Sequence, residues 1–89
     1  MIRRTVTFSG TVQGVGFRFT ARSAAKQFPN LTGYVKNLPS GQVELVVEGD
    51  ASDIDQLLAD LDRRMEGYIK KRTHCDSPPT GQFSDFSIR

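Results

Sequence analysis

The chain of 89 residues has no tryptophan, one cysteine (Cys75) and one histidine (His74). A single cysteine excludes an internal disulfide and is typical of proteins in the reducing cytoplasm. With no second cysteine or histidine, a zinc site would need several carboxylates, so we expect no metal site. The sequence also lacks a signal-like apolar core and any run near the about 20 apolar residues of a membrane span. We therefore expect no membrane partner.

The composition predicts one globular domain over residues 1–89. It is 37% hydrophobic and 25% charged, with a net charge of +2, which is ordinary for a soluble protein. This mild positive charge is compatible with a small anionic substrate. The charge gives only weak support for nucleic-acid binding, and we expect no nucleic-acid partner.

Hydrophobic periodicity divides the chain into strands and helices. Period-two alternation predicts strands over residues 3–12, 31–37 and 43–48, the last two joined by a turn that contains Pro39 and Gly41. Helical spacing predicts one helix that starts at Phe17 and is stopped at Pro29, and a second that carries Ile54 to Met65. Asp50 or Ser52 can cap the second helix. Weaker patterns predict a fourth strand over 68–75 and a short terminal strand over 83–88.

This order of elements is β-α-β-β-α-β plus a short terminal strand. It predicts an α+β fold of the ferredoxin-like, split βαβ kind, in which two helices pack on one face of an antiparallel sheet. Many unrelated functions use this fold, so the function must be argued from a site.

The clearest candidate site is the glycine-bearing stretch Gly10-Thr11-Val12-Gln13-Gly14-Val15-Gly16-Phe17-Arg18. A loop that leads from a strand into a helix leaves several backbone N–H groups unpaired, with the positive end of the helix dipole behind them. Arg18 can add a guanidinium that grips phosphate or carboxylate oxygens. The stretch predicts a site for a phosphate-sized anion, although a tight turn that merely needs glycines accounts for the spacing equally well.

Together with two further segments, these residues resemble the acylphosphatase family. The segments that carry the resemblance are Gly10 with Val12-Gln13-Gly14-Val15-Gly16-Phe17-Arg18, then Gly33-Tyr34-Val35-Lys36-Asn37, then Ser40-Gly41-Gln42-Val43-Glu44, and finally the pattern from Gly81 to Ile88. The resemblance covers nearly the whole chain. It is weakest over residues 67–79, Ser40 stands where the family often has an acidic residue, and the stretch 18–37 is about one residue longer than usual.

The resemblance implies metal-independent hydrolysis of small acyl phosphates by a cytoplasmic monomer without a cofactor. It implies that Arg18 holds the phosphate and that Asn37 orients the attacking water. Inorganic phosphate would be both product and competitive inhibitor. The phosphate would be bound by the backbone amides of Val15, Gly16, Phe17 and Arg18. The loop would be supported by Gln13 and Gly14.

Other interpretations remain open. A relative of the family could bind an anion such as carbamoyl phosphate without catalysis. The run from Gly14 to Phe19 also loosely resembles an aromatic RNA-recognition motif, but it lies on a loop, and the strand over 43–48 has no aromatic residue to stack on bases. Judged without the family, Asn37 beside Pro39 is more typical of a turn former.

Overall fold

A computed structural model describes all residues from 1 to 89. The elements in chain order are β1 (Ile2–Gly10), α1 (Phe17–Ala25), β2 (Thr32–Asn37), β3 (Val43–Gly49), α2 (Ala51–Arg64), β4 (Ile69–Ser77) and β5 (Phe86–Ile88). The five strands form one sheet in the order β4-β1-β3-β2-β5. Neither helix is long and apolar enough to cross a membrane.

The two helices pack on one face of the sheet, as the sequence predicts. Val6 and Phe8 from β1 and Leu45 from β3 point to this face and are fully buried. The helices bury the apolar stripes that helical spacing indicates, and both stripes join one core cluster with the sheet. The ferredoxin-like fold predicted from the β-α-β-β-α-β order is confirmed.

The sheet is mixed, however: the predicted antiparallel pairing is found in β1 to β4 but not in the short terminal strand. Strands β1 to β4 pair antiparallel, but β5 pairs parallel with β2. The chain leaves β4 at one edge of the sheet and crosses to the opposite edge within residues 78–85. Since β4 runs opposite to β2, a strand that starts at the end where β4 stops must run in the same direction as β2.

Several element boundaries differ from the sequence prediction: β1 ends at Gly10 instead of residue 12, and β5 begins at Phe86 instead of residue 83. Helix α1 ends at Ala25, before Phe28, because the chain tightens into bonds from Gln27 N–H to Ala24 O and from Phe28 N–H to Ala25 O. The residue before a proline is disfavoured in the helical region, which explains a helix end ahead of Pro29. Strand β4 extends to Ser77, two residues further than predicted.

The extension of β4 is held by Arg4 on β1. Its guanidinium makes two bonds to the Asp76 carboxylate, at 2.7 and 3.1 Å, and one to Asp55 of α2 at 2.6 Å. A paired fork of this kind is among the strongest side-chain hydrogen bonds. It raises the pKa of Arg4 and lowers the pKa of Asp76, so the edge strand is tied to both neighbouring elements.

Residues 78–85, here called the C-terminal strap, cross the face of the sheet opposite the helices. The Glu48 carboxylate on β3 accepts bonds from the Thr80 N–H at 3.0 Å, the Thr80 hydroxyl at 2.7 Å and the Gly81 N–H at 2.9 Å. Phe83 packs against Tyr34 with ring centroids 5.8 Å apart. The strap explains why Glu48 is buried although it lies on the polar side of β3.

Candidate active site

The β1–α1 loop (residues 11–16) is shaped by two glycines in the left-handed region. Gly14 and Gly16 both have φ of 77°, and Val15 between them has negative φ. A Cβ at either glycine would meet nothing within 4 Å, so the backbone conformation alone requires glycine here. Left-handed and right-handed backbone conformations alternate along these residues. Successive N–H groups therefore point toward one side, a geometry that forms an anion-binding concavity.

The backbone amides of this concavity are free. Those of Val15, Gly16, Phe17 and Arg18 have no hydrogen-bond acceptor in the chain. Gly16 is the N-cap of α1, and no side chain caps the helix. Most helices of proteins satisfy these first amides with a capping side chain. An uncapped, glycine-shaped helix start that combines free amides with the positive end of the dipole is suited to an anion.

Phe17 fixes this helix start in place. Its side chain is buried, and its ring lies 4.8 Å from that of Phe8 between centroids, at a tilted angle of 56°. Tilted aromatic pairs at this distance stabilise the core beyond their buried area. The first turn of α1 is therefore anchored to β1, and the neighbouring Arg18 projects from a rigid base.

Arg18 and Asn37 meet at one cavity of about 210 Å³. Asn37 is the last residue of β2, and Arg18 lies in the first turn of α1. Both side chains are half-buried, and neither is hydrogen-bonded or ion-paired within the chain. The cavity is lined by these two and by Val12, Gly14, Gly16, Phe17 and Phe19.

The side chains of two residues named from the sequence are not part of the cavity lining. Val15 packs against the core. Gln13 donates from its side-chain amide to the carbonyl oxygens of Leu38 at 2.8 Å and Gln42 at 2.9 Å. These bonds join the β1–α1 loop to the β2–β3 turn, next to Asn37.

Phe19 is a cavity residue for which the sequence left two interpretations open, a place in the core or one at the entrance of the site. Its side chain is 64% exposed, yet its ring lines the cavity beside Arg18. The helical stripe that marked Phe17 as core excludes Phe19, because the two residues are two positions apart and point to different faces of α1. That offset was the one signal in the sequence that Phe19 faces outward.

Arg18 is the only ionisable residue of the cavity lining. His74 and Cys75 are exposed on β4. No three histidine, cysteine, aspartate or glutamate side chains lie close enough together to hold a metal ion. The site as built therefore consists of a guanidinium, a side-chain amide and a group of backbone N–H donors on a ferredoxin-like domain, an arrangement that is chemically suited to an oxyanion.

Comparison with known proteins shows the family of this chain. The acylphosphatase family matches over residues 4–88. An acylphosphatase from Paenarthrobacter aurescens is 43% identical over 98% of this chain and 93% of its own length, and one from Methylococcus capsulatus is 41% identical over 99% and 96%. The crystal structure of acylphosphatase from Bacillus subtilis superposes with a TM-score of 0.90 at 27% identity, covering 100% of this chain and 99% of that one. The chain belongs to the acylphosphatase family.

Proposed function

We propose that this protein hydrolyses the carboxyl–phosphate bond of small acyl phosphates, releasing a carboxylate and inorganic phosphate. One observation carries the proposal: the free guanidinium of Arg18, the free amide of Asn37 and the glycine-shaped cluster of backbone N–H groups converge on one cavity. Membership of the acylphosphatase family supports the same activity.

In this proposal the phosphoryl group binds to the amides of Val15, Gly16, Phe17 and Arg18. The Arg18 guanidinium adds two charge-assisted hydrogen bonds to the same oxygens. Phosphoryl transfer depends mostly on positioning and on stabilising the charge of the equatorial oxygens. Donors that are already in place need no reorganisation when that charge develops, which is why they lower the barrier.

Asn37 orients the attacking water. A carboxamide accepts a hydrogen bond from water through its oxygen and donates one through its nitrogen, and it does not titrate. Gln13 supports this role because its bonds hold the turn that follows Asn37 against the loop that binds the phosphate. Water and phosphoryl group are thereby brought together by two connected segments.

The departing carboxylate needs little help from the protein. It is a stable anion at neutral pH, since ordinary carboxyl pKa values are near 4, so it leaves without a proton from a general acid. The cavity lining contains no carboxyl group or imidazole, which accords with a reaction that needs none. The proposal likewise requires neither a covalent intermediate nor a metal.

The proposal extends to four further properties. Inorganic phosphate, as product, inhibits competitively because it occupies the same amides and Arg18. The protein works as a monomer that binds no nucleic acid, and its single free cysteine suits the cytoplasm.

The experiment that tests the function is hydrolysis of benzoyl phosphate in the presence of a chelator, by the wild type and by Asn37→Ala. We expect wild-type turnover that is unaffected by the chelator and inhibited competitively by phosphate. Asn37→Ala should lower kcat strongly and leave the inhibition constant of phosphate within about two-fold, because Asn37 acts on water. Phosphate binding without turnover in the wild type would favour the non-catalytic interpretation instead.

A further inference from the structure

A row of basic side chains runs along α1 from the active site. Arg18, Arg22 and Lys26 are spaced four residues apart, so they follow one face of the helix. None of the three forms an ion pair in the chain. Arg18 belongs to the phosphate site, but the phosphate site does not use the other two.

Phe19 connects Arg22 to the active site. Its largely exposed ring lines the cavity that contains Arg18 and Asn37, and the Arg22 guanidinium carbon lies 5.4 Å from the centre of that ring. A guanidinium at this distance from an aromatic ring is attracted to it. The interaction holds the positive charge of Arg22 beside the cavity wall.

Arg22 also lines a second cavity, of about 250 Å³, next to the end of α1. Its walls combine the basic Arg22 and Lys26 with the apolar rings of Phe28 and Phe86, and one carboxylate, Asp85, lies among them. The Arg22 guanidinium thus lies on the Phe19 ring, which lines the first cavity, and Arg22 itself lines the second cavity. A ligand that extends beyond the first cavity along α1 meets an apolar ring and then a cation.

We propose that Phe19 and Arg22 recognise the acyl group, and that the preferred substrates are acyl phosphates whose acyl group carries its own negative charge. This rests on the proposed function, in which the phosphoryl group lies at Arg18. Arg18 and Arg22 lie four residues apart on the same face of α1, so a short dicarboxylic acyl chain whose phosphoryl group lies at Arg18 extends along the helix toward Arg22. The methylene groups lie on the Phe19 ring, and the distal carboxylate pairs with Arg22.

Arg22 also has an ordinary structural role, since a cation in the last turn of a helix interacts favourably with the dipole. That role changes the stability of α1 and does not distinguish one substrate from another. Selectivity between two acyl phosphates of equal length separates the two roles.

The test compares succinyl phosphate with butyryl phosphate, which have the same number of carbons and differ in the distal charge. For Arg22→Gln we expect kcat/KM on succinyl phosphate to fall about two- to five-fold, the effect of one exposed ion pair, with butyryl phosphate unchanged. Added salt should shrink the difference. Phe19→Leu removes the ring under the guanidinium. It should also reduce the ratio of kcat/KM on succinyl phosphate to kcat/KM on butyryl phosphate. Arg63→Gln is the matched control, because it removes one positive charge from α2, where Arg63 pairs with Asp60.

An unchanged ratio of the two kcat/KM values in Arg22→Gln overturns the proposal, and so does an equal loss on both substrates. A change of the same size in Arg63→Gln also overturns it, because the effect would then be one of net charge. If the folded wild type hydrolyses neither substrate, the proposed function fails instead, so the two failures are distinguishable.

Discussion

The side-chain amide of Gln13 donates a 2.8 Å hydrogen bond to the backbone carbonyl of Leu38, the residue that follows Asn37. This bond, with its 2.9 Å companion to Gln42, links the loop that presents the free amides to the strand end that presents Asn37. The two halves of the proposed active site come from segments about 20 residues apart in the chain. Their relative position depends on this link and on the shared core beneath it.

We expect Gln13→Ala to lower kcat by about ten- to a hundred-fold, because small misplacements of reacting groups have effects of this size. The free energy of unfolding should fall by only about 1 kcal/mol, since both carbonyls keep a second donor: the Gly41 N–H for Leu38 and the Leu38 N–H for Gln42. Steady-state kinetics and urea unfolding measure the two effects. A loss of stability with unchanged kcat would contradict the linking role of Gln13.

We expect Gly16→Ala to impair phosphate binding through backbone strain. The left-handed conformation at φ of 77° is disfavoured by about 1–2 kcal/mol for a residue with a Cβ, and relief of that strain would rotate the amides away from the phosphate. Gly81→Ala is the matched control, because Gly81 also has positive φ (71°) and open space around its Cβ position but lies in the C-terminal strap. Both variants should lose similar stability, and only Gly16→Ala should raise the inhibition constant of phosphate.

We expect Glu48 to contribute to stability at neutral pH and to lose that contribution in acid. Burial by itself raises the pKa of Glu48, but the bonds from Thr80 and Gly81 and the charge of Arg3 outweigh it and hold the pKa below its ordinary value. A carboxyl with a lowered folded-state pKa stabilises the fold above its unfolded pKa, and the effect disappears as the pH falls through the folded pKa. Glu48→Gln should therefore be less stable than the wild type at pH 7, with a gap that narrows below about pH 4.

The measurement is urea unfolding of both proteins at several values between pH 3 and pH 7. Glu66→Gln serves as control, because Glu66 is exposed and its side chain makes no hydrogen bond or ion pair. A gap between wild type and Glu48→Gln that stays constant over the whole range would contradict the assigned role.

We expect kcat to be nearly independent of pH between about pH 6 and pH 8. The cavity lining contains no carboxyl group and no imidazole that could act as a general acid or base. A pH–rate profile of benzoyl phosphate hydrolysis measures this directly. A bell-shaped profile centred in that range would indicate a titrating acid or base that the proposed mechanism does not contain.

The sequence predicted the elements of the fold well, because their signals are local. Alternation in β1 and the four-residue spacing from Phe17 to Ala21 record which side chains are buried, and the glycines at 14 and 16 record the backbone conformation of the loop. The parallel pairing of β5 is different in kind. It follows from where the chain re-enters the sheet after the strap, which no periodicity in residues 78–88 encodes.

Periodicity within one element also could not predict which polar side chains are buried, or that Phe19 and Arg22 lie together beside the cavity. Alternation placed Glu48 and Val46 on the polar face of β3, and both are buried. The strap accounts for Glu48, and a pattern within one strand cannot show such a cover. The position of Arg18 beside the free amides could be predicted because a single motif contains both. The contact of Phe19 with Arg22 could not, because it depends on side-chain directions on an exposed helix face.

The most direct test of the central claim is kcat/KM for benzoyl phosphate in wild type and in Arg18→Gln, with folding of both verified by circular dichroism and urea unfolding. Arg18 is half-buried and unpaired within the chain, so its replacement should leave stability nearly unchanged. We predict a fall of at least about 100-fold, the loss typical of one preorganised donor to a developing charge, together with loss of inhibition by phosphate. A folded Arg18→Gln protein with kcat/KM near that of the wild type would contradict the assignment of this cavity as the active site.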